Sequence, residues 1–176
     1  MKYYDLVAPG FEPDPGLVMR LGFEKAFSCG KDIAFLDSDS GAASESRFVC
    51  AGYKGSGMMA AIRNGASAIV PLGLEIENKV AEYAEGSETV VCVPVSRIIS
   101  GFGFNRLRNI SRAKSLLRVC KKYGAKFTFI TFAENALGML SYMQIIEVAK
   151  MLGASESEAR AAVSIANRSI VTGEIQ

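Results

Sequence analysis

The chain has 176 residues, of which 49% are hydrophobic and 22% charged, with a net charge of +2. Those values suit one globular domain, residues 1–176, with a sizeable core, and no apolar run approaches the ~18–20 residues that span a bilayer. There is no histidine, which excludes Ser-His-Asp and Cys-His catalysis, His-ligated zinc or iron, and the commonest general base near neutral pH. The start, Met-Lys-Tyr-Tyr-Asp, lacks an apolar leader, so the expectation is a cytoplasmic chain whose mature form begins there.

Residues 3–8 (YYDLVA) read as a short strand, and the turn PGFEPDPG follows. Asp14 as N-cap with Pro15 at the first helical position opens a helix to Leu21. Residues 33–36 (IAFL) form a second compact apolar run, and the small polar stretch 37–46 reads as a surface loop. A strand at 47–53 leads into a helix at 55–64, stopped by Gly65. Further strands are expected at 68–71, 89–95 and 126–132, with helices between them at about 75–84 and 110–122. Ser141 with Gln144, then Ser155 with Glu158, are capping-box patterns that open helices at 142–152 and 156–165. Strands rich in Val, Ile and Phe alternate with helices, which predicts an α/β fold with a covered parallel sheet. Six or seven strands leave a doubly wound open sheet and a reduced (β/α) barrel both open, since a full eight-fold barrel typically takes about 250 residues.

Four cysteines, Cys29, Cys50, Cys92 and Cys120, form no CxxC pair. Two lie in apolar strands and one on the apolar side of a helix, so free buried thiols are expected.

Charge is distributed far less evenly than the net value suggests. The 45 residues from Thr89 to Ala133 carry nine Lys/Arg and no Asp or Glu, whereas the remaining 131 hold eleven basic and eighteen acidic groups. Such asymmetry predicts a polyanion-facing patch on an otherwise acidic domain. On a helical wheel, Ile110, Ala113, Leu116, Leu117 and Cys120 share one face. Lys114, Arg118 and Lys122 follow at i, i+4, i+8 on the other, with Lys121 beside them. Like charges at that spacing repel by a few tenths of a kcal/mol per pair, which a facing polyanion would relieve. Upstream, Arg97, Arg106, Arg108 and Arg112 surround a Gly-Phe-Gly-Phe loop. Arginine suits bidentate phosphate contacts, and Phe102 or Phe104 either stacks on an unpaired base or packs into the core.

Two other patterns carry chemistry. Gly55-Ser-Gly-Met-Met-Ala60 matches G-x-G-x-x-G/A, with Glu75 and Glu77 near the distance of a ribose-binding acid; it is either a nucleotide loop or an ordinary tight βα turn. Asp5, Asp37 and Asp39 read as lying at or just past the C-terminal ends of the first two strands, where barrel enzymes place catalytic groups and where carboxylates can hold Mg²⁺. That is the alternative of a metal-dependent phosphoesterase on a small (β/α) barrel.

The stretches FNRLRNISRAKSLLRVCKKYGAKFTFIT and AENALGMLSYMQIIEVAKMLGASESEARAAVS, with the opening YYDLVAP, resemble archaeal ribonuclease P protein component 3, the counterpart of the eukaryotic thirty-kilodalton subunit. The basic entry is Asn105-Arg-Leu-Arg-Asn-Ile, and residues 147–153 and 155–164 carry the family's closing helices. Two departures stand out: Leu140-Ser141-Tyr142 replaces an Arg-Ser/Ala-Pro-like tripeptide, and the tail after Ala166 lacks the common Asn-Pro. The resemblance implies a reduced or distorted TIM-like (β/α) barrel with parallel strands. It implies a subunit of ribonuclease P, the ribonucleoprotein that removes the 5′ leader of precursor tRNA, with catalysis in the RNA subunit. No cofactor or metal is then expected on this chain, and Mg²⁺ belongs to the holoenzyme RNA. The implied partners are ribonuclease P RNA, ribonuclease P protein component 2 with other protein subunits, and precursor tRNA, with no membrane. RNA contacts are expected at Arg97, Arg106, Arg108, Arg112, Lys114, Arg118, Lys121 and Lys122, and no catalytic residue.

Overall fold

The computed structural model describes residues 2–37 and 48–172, and in them seven short strands, all paired in parallel, are interspersed with helices except from β2 to β4, where no described helix intervenes. β1 (Tyr4–Val7) pairs with β2 (Lys25–Ser28), and β3 (Ala34–Asp37), β4 (Phe48–Gly52), β5 (Ala68–Pro71), β6 (Val90–Pro94) and β7 (Phe127–Ile130) form a five-stranded sheet in that order. Backbone bonds also cross between the sheets. Phe132 N donates to Leu6 O at 2.9 Å and Ala8 N to Ala133 O at 3.1 Å, so β1 lies beside the end of β7. A parallel bridge, Cys29 with Ile33, links the flank of β2 to that of β3.

The helices are α1 (Pro15–Arg20), α2 (Gly55–Arg63), α3 (Asn78–Gly86), α4 (Val95–Ile99), α5 (Gly103–Tyr123), α6 (Tyr142–Leu152), α7 (Glu156–Ala161) and α8 (Asn167–Thr172). Period-two alternation sorts the strand side chains into two clusters. Phe48, Cys50, Ile69, Val91, Val93 and Phe129 pack against the helices. Their neighbours Val49, Ala51, Ala68, Val70, Val90, Cys92 and Ile130 face the other way, together with Leu6 and Phe27 from the smaller sheet. Both faces are thus buried, which is why these strands read as continuous apolar runs.

Between α7 and α8 the chain makes one π-helical turn, Ala162–Ala166. The turn rotates Asn167 and Ile170 inward; both are buried, and Ile170 joins the second cluster. Such inserted turns often mark a position where a specific side chain must point. Here the side chain is Asn167, whose Nδ2 donates to Tyr4 O (2.7 Å) and Phe129 O (3.1 Å), while Oδ1 lies 2.6 Å from the Thr128 hydroxyl. One amide therefore ties β1 to β7 where no ladder bonds join them.

All four cysteines are free and buried, and burial pushes their thiols up, Cys50 to about 11. No helix among the described residues is long and apolar enough to cross a membrane. Both capping boxes form. Ser155 Oγ accepts from Glu158 N (3.2 Å) and Glu158 returns a carboxylate to Ser155 N (2.7 Å). The Ser155→Ala variant should lose about 1 kcal/mol of stability, read as a lowered urea midpoint at unchanged slope.

Candidate nucleic-acid interface

α5 is 21 residues long and carries seven of the eight expected RNA-contact residues. Its C-terminal half buries Ala113, Leu116, Leu117 and Cys120, and Gly124 closes it in the left-handed conformation (φ 75°). Opposite that apolar side, Phe104, Leu107, Ser111, Lys114, Arg118 and Lys122 fall on an arc of about 80° and run ~27 Å along the axis. Each of the six is solvent-exposed. No Asp or Glu lies anywhere in the helix.

The expected cations divide into two groups. Four serve the chain itself. Arg97 pairs with Glu134 (3.3 Å), Arg112 with Glu75 (2.8 Å), and Lys121 with Glu158 (2.8 Å) while also donating to Gly153 O (3.1 Å). Arg106 donates from Nε to Gly101 O and from Nη2 to Ile99 O, both at 2.7 Å, and so holds the end of α4. The other four are open to solvent. Arg108, Lys114 and Arg118 are exposed and make no ion pair or hydrogen bond with a described residue, and Lys122 only lies 5.0 Å from the ring centroid of Tyr123. Wheel arithmetic found the open stripe. It does not reveal that Arg106 is taken up by the nearby Gly101 and Ile99 carbonyls, or Lys121 by a carbonyl and an acid from a distant part of the chain.

The alternative sites fare differently. Asp5 is not at a strand end: it is the second residue of β1, fully buried between β1 and β7. Oδ1 accepts from Leu6 N and Thr131 N, both at 2.8 Å, and Oδ2 lies 2.5 Å from Thr131 Oγ1. With those bonds made and no solvent access, it is a seam residue and not a donor for an ion. Burial outweighs the three hydrogen bonds and raises its carboxyl to about 6. Asp37 does end β3 and is exposed, whereas Asp39 lies outside the described residues. Among the described residues no group of three His, Cys, Asp or Glu is arranged to hold a metal ion.

Gly55 opens α2 directly after β4, but the Glu77 carboxylate lies against it, so closely that a Cβ on residue 55 would collide with it. A carboxylate there favours the positive helix end and takes the place a phosphate would need. Glu75 is engaged by Arg112. The glycine motif is a tight βα turn.

No family model matches the chain, and no curated protein matches its sequence. Solved structures do. A prolidase complexed with N-methylphosphonate-L-proline aligns with a TM-score of 0.56 at 15% identity, over 73% of this chain and 34% of that one. A. niger ochratoxinase aligns at 0.53 and 18% identity, over 70% and 30%. A Xaa-Pro dipeptidase with methionine in its active site aligns at 0.50 and 15%, over 70% and 33%. This chain spans about a third of the length of each. At such identities the likeness is one of fold, an α/β architecture of parallel strands, and it carries no residue assignments across.

Proposed function

We propose that this protein is a subunit of ribonuclease P, the ribonucleoprotein that removes the 5′ leader of precursor tRNA, and that it binds and supports the catalytic RNA. One observation supports the reading most directly: Arg108, Lys114, Arg118 and Lys122 project from α5 with no acid among the described residues paired to them. An exposed like-charged stripe repels itself, and a phosphate backbone lying across it turns that cost into attraction. The resemblance of residues 104–131 and 133–164 to archaeal ribonuclease P protein component 3 names the class of polyanion. In this reading component 2 and other subunits dock on the remaining surface, and Mg²⁺ acts on the RNA. The two inter-sheet seams, Leu6 with Phe132 and Cys29 with Ile33, support a reduced (β/α) barrel as the scaffold.

The deciding experiment is co-purification from native cells on a tagged chain, with sequencing of the bound RNA, followed by reconstitution of 5′-leader cleavage. Recovery of one structured RNA that cleaves precursor tRNA, more actively with this chain than without it, is the expected result. Phosphatase or nuclease turnover by the isolated chain, abolished by Asp37→Asn, would overturn the assignment in favour of a metal-dependent phosphoesterase.

A further inference from the structure

Just before and within the first two turns of α5, the chain leaves three large apolar side chains in water: Phe102 is 83% exposed, Phe104 77% and Leu107 67%. Neither phenylalanine belongs to the core, so that reading of the loop does not hold. Exposing two aromatic rings side by side costs free energy that folding normally recovers by turning them inward.

Here the backbone is built to keep them out. Gly103 sits between them at φ +52°, a conformation that side chains resist. Arg106 bonds the Gly101 and Ile99 carbonyls, bracing the turn, and its guanidinium lies 5.7 Å from the Phe102 ring centroid. Gly101 permits that closeness, since a Cβ there would come within 3.1 Å of Arg106 N. The rings are therefore presented on a fixed turn.

The charge around the rings indicates what covers them. Arg108 follows Phe104 by one turn, and Lys114, Arg118 and Lys122 lie on the arc that Phe104 itself occupies, with no acid between Thr89 and Ala133. α5 also begins with neither a side-chain cap nor an acid in its first turn, so its positive end adds to the field. Glu134 and Glu75 reach this region but are paired with Arg97 and Arg112, and flat apolar rings at the head of a helix whose exposed stripe is cationic match a ligand that offers π faces and phosphates together.

We propose that the Phe102–Phe104 turn stacks on unpaired bases of an RNA whose paired segment lies along Lys114, Arg118 and Lys122. The ligand is then a junction, a stem with an adjoining single strand, and not a continuous duplex. This inference rests on the RNA-binding reading above and adds which RNA element the site takes.

The test is fluorescence anisotropy of the full-length protein with two labelled RNAs, a blunt duplex and the same duplex extended by a six-nucleotide single strand. The extended RNA should bind about tenfold tighter, in line with the stacking free energy of a base on an aromatic ring. Phe102→Leu with Phe104→Leu should erase that preference and leave duplex affinity unchanged, while Phe102→Tyr with Phe104→Tyr keeps it. Because both residues are exposed, circular dichroism and melting temperature should match the wild type. If the leucine variant still prefers the extended RNA, or the wild type never does, the stacking inference fails while RNA binding stands. If neither RNA binds, both fall. A defined protein subunit displaced from the turn by the leucine variant, with RNA affinity unaltered, also overturns it.

Discussion

Lowering the pH from 7 to about 4.5 should make this protein more stable, because Asp5 is buried at the β1–β7 seam. Its folded carboxyl titrates at about 6, raised from 3.8 chiefly by burial, against opposing hydrogen bonds from Thr131 and Leu6. Below the unfolded value both states hold the proton, and the stabilisation is fully present. Between the two values the folded state keeps a proton that the unfolded chain releases, so stability falls as pH rises through about 6. A gap of about two units corresponds to about 3 kcal/mol across that window. Glu158 works in the opposite sense: its folded value of about 2 is held down first by Lys121, so its contribution is lost as pH falls from 4.5 towards about 2 and touches only the acid edge of the range measured. The measurement is the urea midpoint at pH 4.5, 5.5 and 7. Asp5→Asn should flatten the trend: an amide oxygen still accepts the Leu6 and Thr131 N–H groups, and the amide nitrogen can donate to Thr131 Oγ1. Asp5→Leu should cost about 3–5 kcal/mol at pH 4.5, since it leaves two buried N–H groups and a hydroxyl without their acceptor. Wild-type stability that is level or rising between pH 4.5 and 7, with Asp5→Asn no different, would refute the assignment.

That seam was the part of the fold least legible in the sequence. Elements whose signals are local came out well. The strand at residues 68–71 and the helix at 142–152 match at both ends, because an apolar run bounded by turns and a capping box each act within a few residues. β2 passed unnoticed: Lys-Ala-Phe-Ser is short, half-exposed and devoid of β-branched residues. The first two turns of α5 were missed as well. Their Phe-Asn-Arg-Leu-Arg sequence has no buried face to impose a 3.6-residue period, and no cap announces the start. Asp5 and Asn167 cannot be paired with their partners from the sequence, since their bonds across the seam span from 38 to 163 residues. A carboxylate in an otherwise apolar strand was the available signal, and strand-end chemistry was the wrong inference from it. The cationic stripe was legible because a helix repeats its face every three or four residues. Which of the segment's cations are already engaged depends on Glu75, Glu134 and Glu158, all outside the basic segment, and for Arg106 on the Gly101 and Ile99 carbonyls within it.

Reversing Lys114, Arg118 and Lys122 to glutamate should weaken RNA association about 100-fold at ~0.15 M salt, with the fold intact. Each phosphate contact contributes about 0.7–0.9 to the slope of log affinity against log salt, so three lost contacts should flatten the slope by about 2–3. The flattened slope is the more telling readout, because a variant weakened through misfolding loses affinity at every salt concentration alike. Stability should change little: among the described residues Lys114 and Arg118 have no ion pair to lose, and Lys122 contributes only its contact with Tyr123. Relief of i,i+4 repulsion cannot offset the loss, since three glutamates at the same spacing repel equally. A matched control reverses Lys2, Lys25 and Lys31, which pair with Glu24, Asp32 and Glu12 on the acidic part of the chain. It changes net charge by the same amount, and exposed, solvent-screened pairs of this kind contribute little to stability. If binding responds only to net charge, both triple variants should weaken it equally, and the α5 face is not the interface. If the face matters, the control should retain most of the affinity and most of the salt slope, while the α5 variant loses both.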